Sequence, residues 1–248
     1  TGNSAWFSGS IADVAVYDRA LARAEINQHW VASGRVSTIP VAPADTYGQA
    51  VFGLDPAVYW RLGESSGTTA ADSGANEAPG TYYGDARVTK GIGGALKDVA
   101  NTAVTFTPQG QQTGVSSNKV FANPTVYSVE SWFKTTSTSG GKLVGFGNVA
   151  NGTSNNYDRH VYMSGSGAVK FGVWTGESQI IQSADGYNDG QWHHVVATQG
   201  SAGMRLYLDG VLVASNGVTT PQDYSGYWRI GGDSGWEGDT WWTGSLDE

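Results

Sequence analysis

Residues 203–215 read Gly-Met-Arg-Leu-Tyr-Leu-Asp-Gly-Val-Leu-Val-Ala-Ser. Met204, Leu206 and Leu208 alternate with Arg205, Tyr207 and Asp209, and a period of two is the signature of a strand with one wet and one dry face. Asp209-Gly210 then sits between two apolar runs. A type I′ turn needs two residues that tolerate positive φ, so this is a strong hairpin signal. The pattern recurs outward in both directions. In 128–134, Val129, Ser131 and Phe133 share one face and Glu130, Trp132 and Lys134 the other. Ser164-Gly165-Ser166-Gly167 and Ser201-Ala202-Gly203 mark further turns. Short strands are expected around 57–62, 81–84, 103–107, 126–134, 142–147, 160–163, 168–174, 179–183, 192–199, 203–208, 211–215 and 227–232. So many short strands without a long helix point to an all-β, two-sheet antiparallel sandwich.

Composition agrees. Glycine contributes 36 of 248 residues, and charged residues only 15%. The net charge of −8 argues against nucleic acid, which selects a basic stripe, and is compatible with a calcium ion held by oxygens. Cysteine is absent, which excludes disulfides and thiolate metal sites. No apolar run is long enough to enter a membrane as a helix.

One stretch repeats. Residues 5–13, Ala-Trp-Phe-Ser-Gly-Ser-Ile-Ala-Asp, align without a gap to residues 240–248, Thr-Trp-Trp-Thr-Gly-Ser-Leu-Asp-Glu, at an offset of 235. The first copy runs on into an alternating segment, 11–17, expected to be a strand. A short helix is expected over 21–32, with Gly34 as its C-cap. Residues 35–47 hold two prolines and no periodicity, and read as a stiff linker. A helical turn is expected around Gly48–Leu54. On this reading residues 1–34 are the closing strand and helix of a preceding, or complemented, domain. Residues 48–248 form a sandwich lacking its last strand. Val14–Tyr17 should pair into a sandwich, either a neighbouring copy's, giving head-to-tail assembly, or the chain's own.

Six ordered motifs resemble the laminin G-like domains of bacterial secreted proteins, within the concanavalin A-like lectin and glucanase superfamily. They are Val58-Tyr59-Trp60-Arg61-Leu62-Gly63-Glu64, Ala71-Asp72-Ser73-Gly74, Ser128–Lys134, Asp189–Ala197, Leu206–Gly210 and Thr243–Glu248. The opening Phe7–Leu21 looks like the closing strand and helix of another such domain in tandem. The resemblance implies a jelly roll, a secreted location, frequent structural calcium, and binding rather than catalysis. Its ligands are diverse, a glycan or a cell-surface polymer among them.

The residues offer three chemistries. Catalysis is disfavoured. The resembled glucanases would demand a Glu-x-Asp-x-x-Glu strand, and Glu130 stands alone on its own. His193 and His194 are adjacent in a strand, so they face opposite ways and cannot chelate one ion. Calcium is the second. Asp72 and Asn76 bring oxygens to a flexible loop, and the resemblance places Asp247 beside them. The third is a ligand face: Tyr157, Arg159 and His160 in one loop, Asp233 and Trp236 in another. Sugars are held by aromatic stacking plus fixed polar groups. Trp174, Trp228, Trp241 and Trp242 are expected to fill the core, although only one of the adjacent pair 241–242 can point inward. The expected role is a calcium-stabilised structural or adhesive repeat, with a carbohydrate-binding module as the alternative.

Overall fold

A computed structural model describes residues 6–248; residues 1–5, which include the first residue of the N-terminal repeat copy, lie outside it. Two short helices lead, α1 (Arg23–Ala32) and α2 (Thr46–Gly53). Among the described residues the strands are β1 (Thr69–Ala70), β2 (Gly80–Tyr83), β3 (Val88–Gly93), β4 (Thr102–Phe106), β5 (Gly114–Ser117), β6 (Phe121–Ala122), β7 (Tyr127–Lys134) and β8 (Gly141–Gly147). They continue as β9 (Tyr157–Met163), β10 (Val169–Trp174), β11 (Ser178–Gln182), β12 (His193–Gly200), β13 (Gly203–Leu208), β14 (Val211–Asn216), β15 (Ser225–Ile230) and β16 (Gly244–Asp247).

The strands form two antiparallel sheets. One runs β1-β2-β5-β15-β8-β9-β10-β11, with β6 beside β15; the other runs β14-β13-β12-β7-β16-β4-β3. The predicted alternation is realised: Val129, Ser131 and Phe133 of β7, and Met204, Leu206 and Leu208 of β13, all turn inward. Between the sheets lies a core that includes Phe106, Phe133, Phe171, Leu246 and Trp242. This is the expected jelly-roll sandwich. Of the adjacent pair 241–242 only Trp242 is fully buried.

Strands β8 and β9 depart from the usual antiparallel pattern. Every residue of β8, and all of β9 after Tyr157, is buried. A sheet with one face in the core and one in water alternates; these two strands are covered on both faces. The cover is the segment 233–241, which crosses their outer face and defines the candidate site.

Three expectations change. First, Ile11–Tyr17 forms no strand; Ile11, Val14, Val16 and Tyr17 are 70%, 78%, 92% and 47% exposed. Residues 9–12 duplicate 244–247, and their lane is already taken by β16, which pairs with both β4 and β7. A segment without an open ladder keeps its backbone in water. Gly244–Asp247 thus pairs on both edges as β16. Second, 57–62 is not a strand beyond a single bridge from Trp60 to Asp72. Third, the linker 35–47 is docked. Ile39 is buried with Ala24, Phe52 and Ala75, and Asp45 caps α2 by accepting the Gly48 N–H.

Helix α1 has no hydroxyl cap. Glu25 instead reaches back to accept the Ala22 N–H at 2.9 Å, one half of a capping box. Arg23 fastens it to the sandwich through the Ala75 carbonyl and the Glu77 carboxylate.

Candidate functional site on the outer face of β8–β10

Cross-strand register builds the site. Lys142, Tyr162 and Lys170 are direct neighbours across β8, β9 and β10, and His160 lies opposite Gly172. Side chains on one face of adjacent strands stand close enough to interact. Tyr157 joins them through a bulge. The β8–β9 register shifts between Val144 and Phe146, and Arg159 adopts φ +48°. One extra residue reverses the alternation, so Tyr157 and His160, three apart, reach the same surface. Their ring centroids are 6.1 Å apart.

The segment 233–241 closes over this row. The Trp236 ring stands edge-on to His160 at 4.5 Å and within 6.5 Å of Tyr162; Trp174, 37% exposed, lies 6.2 Å further along. The approach is so close that a Cβ on Gly172 would lie 2.5 Å from the Trp236 ring and 2.9 Å from His160 Nε2. Gly172 is the space into which the indole fits. Glu237 then pairs with Lys170 at the strap's outer edge. Beside Trp174 opens a cleft of about 520 Å³, walled by Thr175, Gly176 and the segment Gly217–Gln222.

Beneath the strap the chemistry is polar. Asp233 is fully buried and accepts from the Ser154 N–H at 2.7 Å, the Ser154 hydroxyl at 2.8 Å and the Ser234 N–H at 2.7 Å. Arg229 is 3.3 Å from the same carboxylate. The Lys142 ammonium lies 3.9 Å from Asp233 and 5.1 Å above the Tyr157 ring. Burial pushes the Lys142 ammonium down to about 8, with Asp233 opposing the shift and Arg229 adding to it. Burial, and then the Lys142 charge, hold His160 well below the usual imidazole range, so its ring is neutral at pH 7. Lys142 Nζ, both His160 nitrogens and Tyr162 Oη make no hydrogen bond to the described residues. Four unpaired polar atoms under one strap are an unusual concentration, since buried polar groups are ordinarily satisfied.

Of the expected ligand residues, Tyr157, His160, Asp233 and Trp236 are brought together. Arg159 is not. The bulge turns it away, and it is fully buried among the Asp158 carboxylate, Asn123 Oδ1, and the carbonyls of Pro124 and Gln222. It ties two loops together. The expected loop at 155–160 is largely the start of β9. Trp174, expected in the core, points outward. Lys142 and Tyr162 were missed by sequence reasoning; the signal was Gly141, Gly145 and Gly172 inside strands, where glycine marks close approach of another segment.

The expected calcium ligands do not form an oxygen cage. Asp72 accepts from the N–H groups of Tyr59, Gly74 and Ala78, closing the early loop as an Asx-type turn. Asn76 donates to Asp55 and to the Pro56 carbonyl. Asp247 accepts from the Ala95 N–H, Asn101 Nδ2 and the Glu248 N–H. The Asp72 and Asp247 carboxylate oxygens face N–H donors. Among the described residues no three His, Cys, Asp or Glu side chains come together as a metal cluster. Burial, reinforced by the neighbouring Glu248 charge, pushes Asp247 up to about 7.

Glu130 accepts from Tyr47 at 2.6 Å and lies 3.0 Å from His194, whose hydrogen bond is the main cause lowering its pKa. His193 lies instead between Asp209 and Asp189, so the two histidines do face opposite ways.

Solved structures with this architecture are distant in sequence. A Trypanosoma rangeli sialidase aligns over 90% of this chain at 13% identity and a TM-score of 0.53; this chain spans 35% of its length. A pentraxin of Limulus polyphemus, described as SAP-like, aligns over 54% of this chain and 66% of its own at 19% identity and a TM-score of 0.41. The mouse laminin α1 chain, domains LG4-5, aligns over 49% of this chain and 34% of its own at 17% identity and a TM-score of 0.41. For the sialidase the likeness is one of fold alone. No curated protein matches the sequence. A laminin G-type family model covers residues 108–248, more than half of the chain and all of β7–β16, and with the two-sheet sandwich around it this chain belongs to the concanavalin A-like lectin/glucanases superfamily.

Proposed function

We propose that the chain is a non-catalytic extracellular binding domain with an adhesive role, and that its ligand is a glycan. The observation that carries this reading is the aromatic run on the outer face of β8–β10. Trp174 offers an exposed indole at the mouth of a cleft, with Trp236 at 6.2 Å. A pyranose presents apolar C–H faces that stack on such rings, and its hydroxyls need fixed polar partners. The Thr219, Thr220 and Gln222 side chains border the same cleft. Among the described residues that wall it no acid faces another, an arrangement suited to binding. The acidic, cysteine-free composition suits an extracellular surface. No helix among the described residues is long and apolar enough to cross a membrane.

The test is a glycan array followed by titration of any hit, with Trp174→Ala, Trp236→Ala and Tyr157→Ala compared with the parent. Stacking loss should weaken binding at least tenfold in Trp174→Ala while the melting temperature holds. A parent that binds nothing on the array, or a hit untouched by Trp174→Ala, refutes the proposal. The calcium-stabilised version of this role has no support from the positions of Asp72, Asn76 and Asp247.

A further inference from the structure

The cleft beside Trp174 has two walls that no strand ladder joins. One is the end of β10. The β9–β10 ladder stops at His160 and Gly172, and its register carried two residues on would set Trp174 against Asp158. The other wall is the segment 217–222, which lies between β14 and β15 and belongs to neither. Among the described residues no backbone-to-backbone hydrogen bond fixes 217–224. A segment of this kind sits at the low-stability end of a structure unless side chains hold it.

One carboxylate spans the gap. The Trp174 N–H and the Gln222 N–H both donate to the same atom, Asp158 Oδ2, each at 3.1 Å. The other oxygen, Oδ1, accepts from Arg159 Nη1 at 2.5 Å and lies 3.0 Å from the Tyr224 hydroxyl. Arg159 also donates through Nη2 to the Gln222 carbonyl, so the pair holds both backbone groups of Gln222. Asp158 and Arg159 are fully buried. An ionised acceptor out of water holds its N–H donors more strongly than a neutral one does.

The spacing of the walls is what the cleft has to choose with. None of the residues that wall it carries a charge, which leaves shape, stacking and neutral hydrogen bonds. Contact across a slot is steep in distance: a gap of roughly 0.5–1 Å forfeits a quarter to a half of the dispersion between facing atoms. A sugar stacked on Trp174 gains from Thr219, Thr220 and Gln222 only while the two walls keep their separation. Binding groups keep such tolerances when residues behind them lock their positions.

We propose that Asp158 is a positioning residue for this cleft: it ties the two walls together, sets the gape and so fixes which ligand fits. For its ligand the proposal rests on the glycan reading of the cleft; for its geometry it rests on the two hydrogen bonds to Oδ2. Arg159 acts through Asp158, orienting the carboxylate and holding the Gln222 carbonyl from the other side of the same peptide.

Hydrogen exchange of the parent tests the clasp without any ligand. The Gln222 amide should be protected at least tenfold more than those of Thr219 and Thr220, its exposed neighbours in the same segment. Equal protection at all three overturns the proposal. Two double variants then separate the clasp from the buried ion pair, since neither leaves a lone charge inside. Arg159→Met is combined with Asp158→Asn, whose amide oxygen can still accept both N–H groups, and with Asp158→Ala, which offers no acceptor. The Trp174 and Gln222 amides should exchange at least tenfold faster with Ala than with Asn. Affinity for the strongest hit of the glycan array should fall at least tenfold with Ala and recover with Asn. Equal exchange in the two variants overturns the proposal, and so does equal affinity where the exchange differs. A parent that binds no glycan refutes the reading of the cleft instead, and the exchange rates alone then decide the clasp.

Discussion

Lys142 gives the sharpest quantitative expectation. Its side chain is 1% exposed, and its ammonium lies 3.9 Å from the Asp233 carboxylate. Burial lowers it from the ordinary 10.5 to about 8. The unfolded chain therefore binds more protons than the native one between those values, and stability rises with pH across that window. At 1.36 kcal/mol per unit, the full gap corresponds to roughly 3 kcal/mol, of which about 2 kcal/mol should be regained between pH 8 and 9.5. Lys142→Met keeps most of the length of the side chain and removes its charge. The variant loses attraction to Asp233, which retains Arg229 and three hydrogen-bond donors, so it should be about 1–3 kcal/mol more stable than the parent at pH 7. That advantage should shrink by about 2 kcal/mol at pH 9.5. Urea unfolding of both proteins at half-unit steps from pH 6.5 to 9.5 measures it, and the difference between the two curves removes the tyrosines, which are common to both. A difference that does not change with pH would refute the assignment of this lysine as a buried charge. So would a Met variant less stable than the parent at pH 7.

Four other outcomes are expected. Trp242→Ala empties the centre of the core, where the indole is 0% exposed, and should cost about 3–5 kcal/mol in urea unfolding. Arg61→Ala removes the guanidinium that pairs with Asp45 at 2.7 Å and with Glu248 at 2.6 Å; the Glu248 side chain is fully buried, so the loss should be about 3–5 kcal/mol, part of it recovered by adding Glu248→Gln. Gly172→Ala drives a methyl group into the Trp236 ring, and should expose that indole to solvent quenchers while the far-ultraviolet circular dichroism is unchanged. Chelator should leave the melting temperature unmoved, because Asp72 and Asp247 already satisfy N–H donors; a calcium-dependent rise of several degrees would contradict that geometry.

The sandwich was legible because alternation is a local property. Val129/Ser131/Phe133 and Met204/Leu206/Leu208 state their inward faces without reference to a partner. The segments that misled, 11–17 and 57–62, have equally good alternation, but a strand also requires an open neighbouring ladder, and that depends on residues far away in sequence. The site was half legible for a similar reason. Trp236, between glycines and acids, shows itself as a surface aromatic. Arg159 and His160 are adjacent, and only the bulge at Arg159 decides that His160 faces the strap while Arg159 faces the loops. Lys142 reads as an ordinary solvated lysine until the segment 233–241 is laid over it. Asp72 shows the limit of composition: the same carboxylate that suits calcium also suits three backbone N–H groups.

The order of strands has a consequence for biosynthesis. β16, the latest of the described strands in sequence, stands at the middle of its sheet, with β7-β12-β13-β14 on one side and β4-β3 on the other. During synthesis those two half-sheets emerge with a gap between them and cannot join until Gly244–Asp247 has left the ribosome, well after β4 and β7. A nascent chain stalled before Gly244 would thus display two unprotected sheet borders facing each other, a species for chaperones to hold and for proteases to find.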